Sequence, residues 1–207
     1  IGEKSILEII IEELRRHGFT RLYVSVNFQH EMIKDSLRDG ENLGVEIEYL
    51  YEETPLGTAG GLSMLPESLS EPFLVMNGDL LTRVNSAGFL DYHQRSGEVM
   101  TMGIQRYDFE VPFGVVNFED DRITSISEKP AHSWFINAGI YALNPEVLQL
   151  LSPGRPCDMP DLVTRVIDRW GGIGAFPIYE YWLDIGKVED YNMVEGIYNQ
   201  HFKTEDA

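Results

Sequence analysis

The sequence predicts an α/β fold: a Rossmann-like α/β/α sandwich with a mixed, mainly parallel sheet and a small antiparallel insertion. In the first half of the 207 residues, strand-like apolar runs alternate with amphipathic helix-like segments. That alternation is typical of a parallel sheet whose strands are joined by right-handed helical crossovers. In the middle of the chain, several strand-like runs follow one another without a helix between them, which indicates the antiparallel insertion.

The first half begins with a helix whose ends are marked by capping residues. Ser5 and Glu8 have the spacing of a capping box, apolar residues then recur at helical intervals, and Gly18 suits the helix end. The predicted elements of this half are a helix over 5–17, a strand over 22–26, a helix over 30–38, a strand over 45–51, a short helix over 58–65, a strand over 73–76 and a helix over 86–95.

The second half is richer in strands. Asp120-Asp121 marks a turn between two of them, and Pro145 suits the first position of a helix. The predicted strands cover 99–106, 114–118, 122–127, 135–143, 173–178 and 182–185, and the predicted helices cover 160–170 and 188–202. We expect one domain over residues 1–202 and a frayed polar tail over 203–207.

Charge and composition argue against several classes of function. The formal net charge of −18 argues against binding to nucleic acid or to an anionic membrane, because lysine and arginine hold those partners. An acidic protein that handles phosphates needs divalent cations or locally concentrated basic residues. The apolar runs are too short to span a bilayer, and the single cysteine, Cys157, agrees with a reducing cytoplasm.

Two acidic residues that follow apolar stretches are candidate ligands of Mg²⁺. Asp79 closes an Asn-Gly-Asp segment after the strand over 73–76, and Asp184 lies in a largely apolar stretch. Ligands of open α/β sheets bind at the carboxyl ends of strands, and Mg²⁺ prefers one or two carboxylates plus phosphate oxygens. The alternative for Asp79 is a plain strand-ending turn, and for Asp184 a turn or a helix cap.

Other segments carry small or polar residues suited to ligands. The stretch from Glu52 to Gly61 is rich in small residues, which allow a flat ligand to approach the backbone. Lys129 suits a phosphate, Glu128 can accept hydrogen bonds from hydroxyl groups, and Asn137 offers both donors and an acceptor. Taken alone, the glycine-rich stretch and the Glu-Lys-Pro tripeptide are more often solvated loops.

Six segments occur in an order that resembles the sugar-1-phosphate nucleotidylyltransferases, in particular their mannose-1-phosphate guanylyltransferase-like branch. In order they are Pro55-Leu56-Gly57-Thr58-Ala59-Gly60, Asn77-Gly78-Asp79, Phe113-Gly114-Val115-Val116, Glu128-Lys129-Pro130, Asn137-Ala138-Gly139-Ile140-Tyr141 and Trp182-Leu183-Asp184-Ile185-Gly186. The resemblance covers nearly the whole chain. It implies that a sugar 1-phosphate attacks the α-phosphorus of a nucleoside triphosphate and that pyrophosphate leaves.

The resemblance also implies roles for individual residues. Asp79 and Asp184 look like the Mg²⁺ ligands and, with Lys129, like the catalytic residues. The implied sugar-phosphate contacts are Gly114, Glu128, Lys129 and Asn137, and the implied nucleotide contacts are Glu52, Pro55, Gly57, Thr58 and Gly78. These groups suit phosphoryl-type transfer, which depends mainly on positioning and charge neutralisation.

Glu52 bears on the choice of nucleobase. It lies three residues before Pro55, where the family places a base-reading side chain. A carboxylate accepts hydrogen bonds and donates none, so it matches the two adjacent donors of guanine better than the edge of uracil or thymine. We therefore expect GTP to be the favoured nucleotide, whereas the sequence does not specify the sugar.

One departure from the family pattern is large. Family members carry an N-terminal signature of glycines, an arginine and a lysine around the triphosphate, and this sequence shows neither that signature nor the strand before it. We expect this chain alone to be weakly active or inactive, and the resulting open sheet edges favour a homo-oligomer. The alternatives are a non-catalytic module that binds nucleotide sugars and a glycosyltransferase.

Overall fold

The computed structural model of the chain describes residues 4–27, 30–186, 196 and 202, and the fold is given for these residues. The helices are α1 (Ile6–Arg16), α2 (His30–Leu37), α3 (Gly57–Gly60), α4 (Ser86–Ser96) and α5 (Met159–Trp170). The strands are β1 (Arg21–Val26), β2 (Glu46–Tyr51), β3 (Phe73–Met76), β4 (Leu80–Thr82), β5 (Met100–Glu110), β6 (Val115–Glu119), β7 (Arg122–Ser127), β8 (Ala131–Leu143), β9 (Gly174–Ile178) and β10 (Trp182–Asp184). No helix in this part of the chain is long and apolar enough to cross a bilayer.

α1 begins at the predicted capping box. The Ser5 hydroxyl accepts a hydrogen bond from the Glu8 N–H at 3.2 Å, and the Ser5 N–H donates to the Glu8 carboxylate at 2.6 Å. These bonds satisfy two of the donors left open at a helix start. The helix buries Ile9 and Ile11, and Ile9 packs in one cluster with Leu81. α1 is therefore fixed against β4.

Four strands form the central sheet in the order β3-β8-β5-β9. β8 runs antiparallel to both β3 and β5, whereas β9 runs parallel to β5. β1 and β2 form a separate parallel ladder, and β4 pairs antiparallel with β10. The α/β class and the mixed sheet are confirmed, but the central sheet is more antiparallel than expected. The reason is that β8 returns directly from the insertion instead of through a helical crossover.

The two faces of β8 contribute to two different layers of the core. Tyr141 packs in a cluster with Leu162 of α5. Ile140 and Ala142 belong to the cluster that contains Phe89 of α4. All five side chains are at most 2% exposed. Because successive residues of a strand face opposite sides of the sheet, this one strand joins both helical layers, as expected for an α/β/α sandwich.

The antiparallel insertion is confirmed and is longer than expected. β5 continues to Glu110 and β8 begins at Ala131, so the two strands run on together past the buried sheet as a two-stranded arm (residues 106–110 and 131–135). β6 and β7 form a hairpin (residues 115–127) between them. Asp120 and Asp121 close the hairpin with φ of 45° and 60°, which confirms the predicted turn.

β4 is the strand that the sequence did not predict. Its three residues are too few to show a period, and its partner β10 lies far later in the chain. The helix predicted over 188–202 and the tail predicted over 203–207 lie outside the described residues, apart from positions 196 and 202.

A buried histidine ties α4 to the central sheet. His93 is 1% exposed, its Nδ1 lies 2.8 Å from Thr101 Oγ1, and its Nε2 lies 3.1 Å from Asn144 Oδ1. Burial lowers the pKa of His93, although the contact with Asn144 and the charge of Glu98 oppose that change. The fold therefore stabilises the neutral imidazole ring.

Acidification is expected to destabilise the protein through His93. Because the pKa of His93 in the folded state lies below its unfolded value of about 6.5, the stabilisation is complete above that pH and is lost as the pH falls below it. We expect the free energy of unfolding to be lower at about pH 5.5 than at neutral pH. Urea unfolding at that pH and at neutral pH measures it. His93→Gln cannot titrate and should show a weaker pH dependence, and an unchanged dependence would contradict the assignment.

Candidate active site

A bulge in β8 shapes the edge of the sheet where β3 ends. The pairing of β5 with β8 shifts register between Met102 and Ile104. Opposite this shift, Gly139 has a φ of 69°, and its carbonyl accepts a hydrogen bond from the Asn77 N–H at 3.0 Å. A Cβ at Gly139 would lie 2.8 Å from Asn77 Nδ2, so the close contact requires glycine. The bulge therefore joins β8 to the residue that follows β3.

The two candidate Mg²⁺ ligands are brought together by β4 and β10. Asp184 is the partner of Leu80, the residue after Asp79, in the antiparallel ladder. The Ile185 N–H donates to the Asp79 carbonyl at 2.9 Å. Both aspartates are exposed, so two acidic residues that are distant in the sequence have neighbouring backbones at the strand ends. Among the described residues, no group of three or more metal-ligating side chains forms, and the site offers this pair.

Asn137 lies beside the bulge with its amide already oriented. Its Nδ2 donates to the Tyr141 hydroxyl, and its Oδ1 accepts from the Gly139 N–H at 3.0 Å. Burial raises the pKa of Tyr141, and the hydrogen bond from Asn137 opposes that rise. An amide has two donors and two lone pairs, so these contacts leave one of each for a ligand. Asn137 is therefore a preoriented donor and acceptor at the same edge of the sheet.

The loop predicted to contact nucleotide is held against the start of α5. Asp158 accepts a hydrogen bond from the Thr58 N–H at 3.2 Å, and the Thr58 hydroxyl accepts from the Met159 N–H at 2.7 Å. The Ala59 N–H donates to the Cys157 carbonyl at 2.9 Å. α3 and α5 thus cap each other's first turn, which satisfies donors that neither helix can satisfy alone. This reciprocal capping sets the position of the loop.

Glu52 stands at the carboxyl end of β2 and makes contacts within the protein. Its Oε1 accepts from the Ser25 hydroxyl at 2.6 Å, and its Oε2 accepts from the Leu56 N–H at 2.8 Å. The Asn27 amide donates to the Glu52 carbonyl at 2.6 Å. These bonds connect the ends of β1 and β2 and close the loop over 52–56. Each carboxylate oxygen retains one lone pair for a further donor.

The sugar-phosphate candidates of the insertion lie at the base of the hairpin. A Cβ at Gly114 would lie 3.1 Å from Glu128 Oε2, so these two residues are neighbours. Lys129 has a φ of 45°, a left-handed conformation that is uncommon for a residue before proline. The Val111 N–H donates to the Pro130 carbonyl at 3.1 Å and thereby holds the backbone next to Lys129. Glu128 and Lys129 are both exposed.

Two predicted nucleotide contacts remain, Pro55 and Gly78. Pro55 is exposed between β2 and α3, and Gly78 lies beside α1, where a Cβ would be 3.2 Å from Leu7. Ser25 and Asp158, which orient the predicted nucleotide contacts, were not predicted from the sequence. The position of Asp158 before Met-Pro is a helix-cap signal, but its bond to a loop a hundred residues away, at Thr58, leaves no local pattern.

Neighbouring acidic residues at strand ends are typical of α/β proteins that bind phosphate-bearing ligands with a divalent cation. Comparison with known proteins is more specific. The family described as Nucleotidyl transferase matches residues 1–200. The chain therefore belongs to the nucleotidyl transferase family, as the order of its six segments predicted.

Two relatives and one solved protein illustrate the match. The chain is 32% identical over 224 residues to a UTP--glucose-1-phosphate uridylyltransferase of Synechocystis sp., covering 98% of this chain and 58% of the relative. It is 33% identical over 199 residues to a probable mannose-1-phosphate guanylyltransferase 1 of Oryza sativa, and this match covers 92% of this chain and 55% of the relative. The solved structure of HddC from Yersinia pseudotuberculosis matches with a TM-score of 0.71 at 24% identity, and the match covers 94% of this chain and 86% of HddC. The structure of HddC complexed with GMP-PN matches with a TM-score of 0.68.

These matches have two consequences. The structural match confirms the Rossmann-like fold. The chain spans just over half the length of the two relatives, whose names specify different nucleotides.

Proposed function

We propose that the protein transfers a nucleotide from a nucleoside triphosphate, with GTP favoured, to a sugar 1-phosphate, giving a nucleotide sugar and pyrophosphate. The convergence of Asp79 and Asp184 at the strand ends carries the proposal. The names of both relatives support it, since each acts on a sugar 1-phosphate.

The residues at this edge fit Mg²⁺. Asp79 and Asp184 supply two carboxylates, and Mg²⁺ takes its other ligands from water and substrate phosphates. Mg²⁺ bound there would neutralise the charge of a triphosphate that a protein of net charge −18 otherwise repels. The proposed role of the two aspartates is therefore to hold the metal where the phosphates meet the strand ends.

The insertion supplies the proposed contacts to the sugar 1-phosphate. Lys129 pairs with its phosphate as a point charge, and Glu128 accepts hydrogen bonds from its hydroxyl groups. Asn137 adds a donor and an acceptor whose orientation is set by Tyr141. Gly114 keeps the backbone open beside Glu128. These groups hold the attacking phosphate in line with the triphosphate, and positioning of this kind is the main contribution to such transfers.

The nucleotide is assigned to the loop that precedes α3. Pro55, Gly57 and Thr58 form the proposed surface for base and ribose, and Gly78 leaves room near the phosphates. The reciprocal capping of α3 and α5 supports this assignment, because a rigid loop loses less entropy when a ligand binds.

A thermal-shift screen tests the proposal. We expect GDP-sugars to stabilise the chain more than UDP-, dTDP-, ADP- or CDP-sugars, and to do so only with Mg²⁺. At a hundred times the Kd, a ligand adds about 2.7 kcal/mol, which corresponds to roughly 5–10 °C for a chain of this size. Shifts of equal size with all five nucleotides would contradict the preference for GTP, and shifts independent of Mg²⁺ would contradict the metal site.

Glu52 is the proposed source of the preference for guanine. Its two oxygens each accept one hydrogen bond inside the protein, from Ser25 and from the Leu56 N–H. Those bonds hold the carboxylate in one orientation. The ring N–H and amino group of guanine are two adjacent donors that the remaining lone pairs can accept, whereas uracil presents only one donor there.

Glu52→Gln is expected to lower the preference for GDP over UDP ligands by about tenfold or more, because a hydrogen bond to a charged group contributes about 1.5–3 kcal/mol. Calorimetric titration with both nucleotides, each with Mg²⁺, measures the ratio. Ser25→Ala is the matched control, since it removes a bond to the same carboxylate without removing the acceptor. If both variants change the ratio of GDP to UDP affinity equally, Glu52 only stabilises the loop, and its assignment as the residue that recognises guanine is wrong.

We also propose that the reaction takes place in the cytoplasm. The only cysteine, Cys157, is buried with a free thiol, and burial raises its pKa, so the thiol stays neutral. A buried free thiol is compatible with a reducing compartment.

A further inference from the structure

The hairpin formed by β6 and β7 has one fully apolar face that is exposed. Val116 pairs with Ile126, and Phe118 pairs with Ile123. Their exposed fractions are 41%, 67%, 72% and 73%. On the opposite face, Asn117 donates a hydrogen bond to the Ser125 hydroxyl at 2.8 Å, so that face is polar. The alternation of the strands therefore places four of the five large apolar side chains of the ladder, all except Val115, on the side that its own chain leaves uncovered.

The hairpin has few sources of stability of its own. Two-stranded ladders are marginal in water unless a helix, a sheet or another chain covers the apolar face. The turn residues Asp120 and Asp121 both have positive φ, and neither is the glycine that relieves such a turn. A partner on the apolar face would supply the burial that the hairpin lacks.

The arm next to the hairpin has a second exposed apolar face. Tyr107 pairs with Trp134, and Phe109 pairs with His132. Because the two pairs are two residues apart along each strand, all four rings lie on one side of the ladder. His132 and Trp134 stack with their centroids 5.6 Å apart. The same two strands are buried where they enter the central sheet, so exposure begins where the arm leaves the body of the protein.

We propose that the arm and the hairpin together form a dimer interface that packs against the same surface of a second copy of this chain. The hairpin face offers roughly 450 Å² of apolar surface, taking about 150–250 Å² for a large side chain when fully exposed. With the aromatic face of the arm, the surface approaches the ~800 Å² that each partner buries in a standard interface. Two-fold symmetry suits a surface of this kind, because the same apolar patch meets itself.

The charges around the patch favour a second copy in an antiparallel orientation. The apolar face of the hairpin has no charged side chain, whereas its tip contains Glu119, Asp120 and Asp121 with Arg122 as the one cation. Antiparallel packing separates the two acidic tips and sets each one over the base of the other hairpin, which carries Lys129 together with Glu128. A parallel arrangement would place two acidic tips side by side, which like charges disfavour.

Sedimentation equilibrium of the chain tests this inference. From about 1 to 100 μM, a concentration range suited to weak dimers, we expect the mass to rise from 23.6 kDa toward twice that value. The double variant Phe118→Thr and Ile123→Thr keeps β-branched residues in the strands and should weaken dimerisation at least ~30-fold. Trp134→Thr, in the separate ladder of the arm, should weaken it as well, so unfolding of the hairpin cannot alone explain the loss.

Met32→Thr and Tyr179→Thr remove exposed apolar side chains elsewhere and serve as controls that should leave the dimer intact. Because the two copies are both acidic, added salt should strengthen the dimer by screening their repulsion. A wild-type chain that stays monomeric throughout this range would overturn the proposal. So would a dimer that the hairpin variant leaves unchanged, that both controls disrupt equally, or that dissociates as salt is added.

Discussion

Replacing Asp79 or Asp184 with asparagine is expected to abolish Mg²⁺-dependent nucleotide binding and to lower turnover by about 100-fold or more. Asparagine keeps the size of the side chain but removes the negative charge that holds a divalent cation. The metal is proposed to neutralise charge on the phosphates, and losing one preorganised electrostatic contact of that kind typically costs about 10²–10³ in rate. Both aspartates are exposed, so the folded state should keep its stability.

Two comparisons make this prediction specific. Asp168→Asn removes an exposed carboxylate from α5 and should leave Mg²⁺-dependent binding unchanged. The double variant of Asp79 and Asp184 should lose little more than either single variant, because two ligands of one ion act as a unit. Independent, additive losses would contradict a shared metal, and normal binding in either single variant would remove that aspartate from the site.

Gly57→Ala is expected to destabilise the protein by about 2–3 kcal/mol and to weaken nucleotide binding. An alanine in the left-handed region costs about 1 kcal/mol by itself. At Gly57, where φ is 74°, the added Cβ would also lie 2.5 Å from Asp158 Oδ1 and 2.8 Å from the Cys157 carbonyl. That contact would push apart the loop and the start of α5, and with them the reciprocal caps that hold Thr58.

Gly97 provides a control with the same backbone conformation. Its φ is also 74°, but a Cβ there would meet nothing within 4 Å. Gly97→Ala should therefore lose only the ~1 kcal/mol that alanine costs in the left-handed region, which lowers the melting temperature by roughly 2–4 °C for a chain of this size. Thermal unfolding and nucleotide titration of the two variants separate the cost of the backbone conformation from the effect of the close contact with Asp158. Equal losses in both would show that the packing against Asp158 does not matter.

The helices and most of the strands could be predicted because their signals are local. The capping box at Ser5 and the apolar run of β3 can each be recognised within a few neighbouring residues, and both are confirmed. The chain order of the segments indicated the family. The central sheet proved more antiparallel than expected because the direction of β8 depends on how the insertion returns, which no local pattern records.

The assembly of the site was less accessible from the sequence. Asp79 and Asp184 are candidates in the sequence, but their backbones become neighbours through β4, a three-residue strand without a period of its own. Asp158 and Ser25 act through single hydrogen bonds to distant residues, so they have no sequence signature beyond a helix cap. The exposed face of the hairpin also lacked a signal, since apolar strand residues look the same whether or not their own chain covers them.

Mass-spectrometric detection of products tests whether the chain transfers a nucleotide to a sugar 1-phosphate. The chain is incubated in excess over GTP with each of a panel of sugar 1-phosphates and Mg²⁺, so that even a single slow turnover is seen. We expect a GDP-sugar and pyrophosphate in equal amounts with at least one sugar. Both products should disappear with EDTA and with the double variant of Asp79 and Asp184. No nucleotide sugar from any pair would contradict catalysis by this chain alone, and undiminished product from the double variant would contradict the proposed metal site.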